Sequence, residues 1–261
     1  MARRFNSADS DFSERFEGFL REPRGGGAGG ADAAAADIVA DVRARGGGAV
    51  AEITAKFDQL EIDPETLQSE RVDLDQLAAQ CPTNVREAIE FAAKRIRDYH
   101  AAQLPQDHRF TDAAGLDLGW RWTPIDAVGL YVPGGRASYP SSVLMNAAPA
   151  QTAGVSRMVM AAPAPGGVLN PAVAYAAQCA GITEYYPIGG AQAVAAFAYG
   201  AGDLRPVDKI VGPGNAYVTA AKRLVFGDVG IDTIAGPSEI CVVADDQNDP
   251  AWIAADLLSQ A

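Results

Sequence analysis

Apolar residues in the first part of the chain recur at the three- to four-residue spacing of a helix. This spacing predicts one helix over 32–45 and, after the glycines at 46–48, a second with Val50, Ile53 and Phe57 on one face. A third helix opens at 82–84, where Asn84 and Glu87 stand in capping-box spacing. Its buried stripe is predicted to consist of Val85, Ile89, Ala92, Ile96 and Tyr99.

The periodicity changes at 116–122, where apolar and polar residues alternate with period two. This alternation predicts a strand, and a turn containing Pro124 leads into a second strand that ends at Val132. Further strands at 158–161, 184–188 and 209–211 then alternate with helices at 171–179, 191–199 and 216–226. Such alternation is typical of parallel strands covered by helices on both faces, so the predicted class is α/β with a doubly wound sheet.

An amphipathic segment precedes these elements. Phe12, Phe16, Phe19 and Leu20 stand at helical spacing, and a glycine-rich stretch follows them over 23–30. The pattern predicts an N-terminal helical arm and a flexible linker.

Composition and charge narrow the class of partner. The 261 residues carry a formal charge of −12, which disfavours a polyanion such as nucleic acid. No apolar run approaches the length of a membrane span, so we expect no membrane association and a cytoplasmic location. Cys81, Cys179 and Cys241 include no CxxC motif and fit a reducing compartment as small buried residues.

Three predicted strands end in glycine turns that lead toward a helix, at 132–136, 188–192 and 211–215. At the carboxyl ends of parallel strands, such turns let backbone amides and a helix N-terminus approach an anionic ligand. Helix–strand packing also uses glycine, so one turn alone is weak evidence. None of the three has the full GxGxxG pattern, so an ordinary Rossmann dinucleotide site is not predicted.

Five motifs in order give the chain a specific resemblance. They lie at 128–135, 188–193, 211–218, 234–239 and 256–261. Together they resemble the histidinol dehydrogenase family, and the likeness extends over the helices from about residue 30. The resemblance implies a zinc-dependent, NAD-linked homodimer with two incomplete Rossmann-like domains. Such an enzyme oxidises the small molecule L-histidinol through L-histidinaldehyde to L-histidine.

The resemblance also assigns roles to residues. Tyr131, Gln192 and Asn215 match positions that bind NAD, a task that suits an aromatic ring and two amides. Ser238 matches a substrate contact. Gln260 matches a zinc ligand that also touches the substrate, through an oxygen donor that zinc accepts.

The same resemblance divides the chain into four parts: the arm and linker at 1–30, a helical part with the first strands of domain one at 31–128, the second Rossmann-like, NAD-binding domain at 129–237, and a truncated return to domain one at 238–261. The final helix lacks a capping residue, which predicts an N-terminal portion of a longer enzyme. The family's catalytic Glu-His pair and remaining zinc ligands are expected beyond Ala261, so no catalytic residue is assigned within the chain. His100, on a helix, and His108, in a loop, are expected to be surface residues.

Other functions stay open at this point. One is a dehydrogenase of the same scaffold that acts on another polar primary alcohol, such as a sulfonated diol. Another is a non-catalytic nucleotide-binding or assembly module. A nucleophilic role for Cys241 in the aldehyde step has a chemical logic, but 241–244 reads as a buried strand with no histidine nearby in sequence.

Overall fold

A computed structural model describes residues 4–21, 28–69, 72–134, 139–234 and 240–258. The chain forms two compact units, one of Met1–Ala31 with Gly236–Ala261 and the other of Asp32–Ala235. The helices are α1 Phe12–Arg21, α2 Ala28–Arg45, α3 Gly47–Asp58, α4 Leu74–Ala79, α5 Thr83–Ala101, α6 Pro140–Ala153, α7 Pro171–Cys179, α8 Gly190–Tyr199, α9 Ala216–Val225 and α10 Pro250–Leu258. The strands are β1 His108–Thr111, β2 Asp117–Trp120, β3 Ala127–Tyr131, β4 Arg157–Ala161, β5 Glu184–Tyr186, β6 Lys209–Val211 and β7 Gly230–Ile231.

Five strands of the larger unit form a parallel sheet in the order β5-β4-β3-β6-β7. All five residues of the central strand β3 are buried. The chain builds outward from β3 through β4 to β5, then returns to build β6 and β7 on the other side. The predicted doubly wound α/β class is therefore confirmed, and the topological switch point lies between β3 and β6.

Two groups of helices cover this sheet. Helix α7 contacts α4, α5 and α6, helix α5 also contacts α6, and α8 contacts both α9 and α3. Right-handed crossovers place α6 and α7 on one face and α8 and α9 on the other. Helix α8 is buried from Ala191 to Ala198. No helix among the described residues is long and apolar enough to cross a membrane.

The structure differs from the sequence-based expectation in the helical part. Helix α5 begins after Pro82, which makes no side-chain capping bond, so the capping box at Asn84 is wrong. Within the predicted stripe Ile89 is buried, but Tyr99 is 65% exposed because it lies on the last turn, beyond the packed part of the helix. Gly47 and Gly48 begin α3, so only Gly46 separates it from α2.

The first predicted strand belongs to a separate hairpin. Strand β2 pairs antiparallel with β1, and all eight of their residues are exposed. His108 therefore lies in a strand and not in a loop, because its backbone pairs with Trp120. The predicted buried strand at 241–244 is also wrong. The described residues 240–249 form no strand, Cys241 is exposed, and no residue of 240–258 is buried.

In the smaller unit, the predicted arm is helical over its described part. Helix α1 carries Phe12 stacked on Phe16 with ring centroids 5.3 Å apart, and Phe5 meets Phe16 edge to face. Most of the predicted linker lies outside the described residues. Its last residues, from Ala28, begin α2.

Candidate nucleotide site at the carboxyl edge of the sheet

The three glycine turns meet at one edge of the parallel sheet. Tyr131 pairs in register with Ala161, which pairs with Tyr186 on the next strand. On the other side of β3, Leu130 pairs with Val211. Because these residues end β3, β5 and β6, the turns that follow them all lie at the carboxyl edge. Gly135 and Arg136, the last residues of the first turn, lie outside the described part of the chain.

Tyr131 links two of these turns from inside the protein. Tyr131 is 3% exposed, and its hydroxyl oxygen accepts a hydrogen bond of 3.1 Å from the Gly190 amide at the start of α8. Burial raises the pKa of Tyr131 to about 12, and the charge of Asp58 acts in the same direction against the opposing Gly190 bond. The phenol is therefore neutral at physiological pH and fixes the turn before α8.

Gln192 lies in the first turn of α8 and is 4% exposed. Its side chain makes no hydrogen bond to another residue in the described part of the chain. Its Oε1 lies 2.6 Å from the point that a Cβ on Gly190 would occupy, so the side chain folds over the glycine backbone. Because its amide offers both a donor and an acceptor that no described side chain or backbone group engages, Gln192 is a candidate ligand contact.

Asn215 occupies the end of the third turn and caps α9. Its Oδ1 accepts hydrogen bonds of 3.1 Å from the amides of Tyr217 and Val218. The capping bonds occupy the oxygen and leave the Nδ2 group, a donor, for a ligand. No hydrogen bond among the described residues joins the side chains of Tyr131, Gln192 and Asn215 to one another.

An ion pair that the sequence reasoning did not predict binds the start of the same turn, at Gly212. Lys222 donates hydrogen bonds of 2.5 Å to the Gly212 carbonyl and 2.6 Å to Asp232 Oδ1. Asp232 Oδ2 accepts a bond of 2.7 Å from the Gly212 amide. The only sequence signal is a lysine within the buried stripe of α9, beside Val218, Ala221 and Val225.

These residues enclose a small cavity of about 200 Å³. It is lined by Asn146, Gly212, Pro213, Gly214, Thr219, Lys222, Asp232 and Thr233. The cavity lies beside the switch point, where open α/β sheets bind their ligands. The edge thus offers the side-chain amides of Gln192 and Asn215 beside glycine turns, whose backbone a ligand can approach closely. This combination suits a dinucleotide.

The remaining candidate residues have different surroundings. Ser238 and Gln260, with the expected substrate and zinc contacts, lie outside the described residues. His100 is half-buried, with its Nδ1 2.7 Å from Gln103 Oε1, and His108 is exposed. Within the described residues, no three His, Cys, Asp or Glu side chains group as metal ligands.

Comparisons with known proteins all point to one family. The histidinol dehydrogenase family model matches residues 28–261. The chain is 58% identical to a histidinol dehydrogenase of Caulobacter vibrioides over 99% of its own length and 60% of the relative's. It is 63% identical to one of Cereibacter sphaeroides over 88% of its length and 53% of that protein.

A solved structure agrees. The crystal structure of histidinol dehydrogenase from Elizabethkingia anophelis matches with a TM-score of 0.79 at 36% identity, covering 87% of this chain and 52% of that one. The chain thus spans at most 60% of the length of these relatives. With the motifs, the parallel sheet and these matches in agreement, the chain belongs to the histidinol dehydrogenase family.

Proposed function

We propose that this chain supplies the NAD-binding part of an enzyme that oxidises L-histidinol through L-histidinaldehyde to L-histidine. The observation that carries the proposal is the meeting of three glycine turns at the carboxyl edge of one sheet, in a chain 58% identical to a protein named histidinol dehydrogenase. The complete enzyme is proposed to be a cytoplasmic homodimer. Conversion of a primary alcohol to a carboxylate removes four electrons, so each histidinol reduces two NAD molecules.

The residues present suit NAD. The Gln192 side chain has no hydrogen-bond partner among the described residues, and Asn215 retains a free Nδ2 group. Gln192 and Asn215 end the second and third glycine turns at the carboxyl edge of the sheet. NAD supplies the hydride acceptor when bound. Tyr131 is proposed to act from beneath the site, where its hydroxyl holds the Gly190 amide and so sets the position of Gln192.

Zinc and substrate are assigned to residues outside the described part of the chain. Gln260 is proposed to hold zinc through its amide oxygen and to touch the substrate, and Ser238 is proposed as a second substrate contact. A zinc ion in such a site polarises a bound alcohol oxygen. The general base is proposed to lie in the part of the enzyme that this chain does not span.

The first test is activity. The 261-residue chain is expected to form no NADH from histidinol, because the general base and most zinc ligands are proposed to lie in the part of the enzyme that this chain does not span. The product of the complete encoding locus is expected to form two NADH per histidinol and to lose this activity with a chelator. Chelator-sensitive turnover by the 261-residue chain above a mock preparation would contradict the proposal that the base and most zinc ligands lie outside this chain. An inactive product of the complete locus would contradict the proposed function.

A second test concerns the NAD contacts. Gln192→Ala and Asn215→Ala are each expected to weaken NAD binding several-fold, since one well-made hydrogen bond contributes about 1 kcal/mol. Calorimetric titration of the 261-residue chain measures the change.

Asn170→Ala is the matched control for loss of a helix cap. Asn170 caps α7 through a bond of 2.8 Å from the Ala172 amide, and nothing assigns it to the nucleotide. It is expected to lower the melting temperature as Asn215→Ala does while leaving NAD affinity unchanged. Unchanged affinity in both Gln192→Ala and Asn215→Ala, with clear binding by the parent, would refute the placement.

A further inference from the structure

The Lys222–Asp232 ion pair forms hydrogen bonds with both polar backbone groups of Gly212. The Gly212 amide donates to one carboxylate oxygen of Asp232, and the Gly212 carbonyl accepts from Lys222. The ion pair closes the ring at 2.6 Å. Because the N–H and the C=O of Gly212 are both held, its two backbone dihedrals are fixed.

The ion pair lies beside the Gly212–Asn215 turn of the candidate nucleotide site, which we call the nucleotide turn. Lys222 lies on α9, the helix that Asn215 caps, and Asp232 follows β7. The turn from Gly212 to Asn215 is therefore fixed at its start by the ion pair and at its end by the cap. The direction of the Asn215 amide depends on both attachments.

Burial argues that Lys222 positions the turn and does not itself bind the nucleotide. The Lys222 side chain is 4% exposed, and its ammonium charge is compensated by Asp232 at hydrogen-bond distance. A paired and buried cation offers little net charge to a phosphate. Its two described bonds reach only its own turn and that partner.

We propose that Lys222 and Asp232 are positioning residues that hold the Gly212–Asn215 turn in the geometry that receives the dinucleotide. The proposal rests on the proposed NAD-binding function. It adds two residues whose proposed role is exerted through the turn. Asp232 also accepts a bond of 2.6 Å from the Thr233 amide, so it fixes the chain that leaves β7 as well.

The matched control is a second ion pair of the same sheet. Arg157 and Glu184 are 14% and 32% exposed, against 4% and 28% for Lys222 and Asp232. Arg157 begins β4 and Glu184 begins β5, so this pair lies at the amino edge, away from the glycine turns. Loss of either pair removes one partly buried ionic contact, but only one pair borders the nucleotide turn.

The experiment compares Lys222→Met with Arg157→Met in the 261-residue chain. Hydrogen exchange of the amides of residue 212 and residues 214–218 is measured without ligand, and NAD affinity is measured by calorimetry. Lys222→Met is expected to speed exchange in this turn and to weaken NAD binding about tenfold, whereas Arg157→Met does neither. Asp232→Asn, which keeps an acceptor for the Gly212 amide, is expected to have a smaller effect and serves if Lys222→Met does not fold.

Each outcome decides one question. If Lys222→Met and Asp232→Asn match Arg157→Met in both measurements, or speed exchange without weakening NAD binding, the positioning role is overturned. If the parent chain binds no NAD, the proposed function fails. The exchange measurement then still reports whether the pair holds the turn, so the two failures are distinguishable.

Discussion

Replacing Gly47 with alanine is expected to destabilise the larger unit by about 3 kcal/mol, because a Cβ at this position collides with backbone that cannot move aside. The added carbon would lie 1.9 Å from the Pro64 carbonyl oxygen and 3.1 Å from the Gly202 amide nitrogen. Gly47 is the first residue of α3, which packs on the buried helix α8. Relief of the collision would require α3 to move away from that core.

Gly48→Ala is the matched control. Gly48 is the next residue of the same helix, and a Cβ there meets nothing within 4 Å. Alanine at this position is expected to stabilise the fold by about 0.5 kcal/mol through a lower entropy of the unfolded chain. Thermal or urea unfolding of the two variants should shift in opposite directions. A Gly47→Ala variant as stable as the parent would contradict the close approach.

The alternation of strands and helices could be predicted because the period of apolar residues changes with secondary structure. The strands from β3 to β6 and the helices α7 and α8 lie close to the expected positions and pack into a common core, whereas α6 packs into the same core without having been predicted. Predictions based on short apolar runs were less secure. The run beginning at Cys241 has the composition of a strand, but pairing depends on a neighbour that a local pattern does not contain.

The arrangement around the candidate site was harder to predict for a related reason. Motif matching singled out Tyr131, Gln192 and Asn215, whose roles as NAD contacts stay a prediction. Sequence reasoning could not show that the Asn215 oxygen caps a helix or that the Tyr131 hydroxyl is held by Gly190. Lys222 and Asp232 lie ten residues apart across a helix and a strand, so only tertiary structure brings them together.

Gly212→Ala is expected to have the largest effect on the candidate site. Gly212 has a φ of 120°, and an added Cβ would lie 2.0 Å from the Tyr131 carbonyl oxygen. The clash lies between the carboxyl ends of β3 and β6, at the switch point where the turns meet. Alanine must therefore push the turn away from β3 and break its bonds to Lys222 and Asp232, and NAD binding by the 261-residue chain is expected to fall more than tenfold.

Gly227→Ala separates this clash from backbone strain. Gly227 has a φ of 110°, but a Cβ there meets nothing within 4 Å. Both variants bear the cost of an unusual conformation, about 1–3 kcal/mol, and only Gly212→Ala adds the collision with β3. The free energy of unfolding of Gly212→Ala should therefore be about 3 kcal/mol lower than that of Gly227→Ala. Calorimetry should show that Gly212→Ala loses NAD affinity and that Gly227→Ala keeps it. Equal stability and equal affinity in the two variants would mean that β3 does not confine this turn.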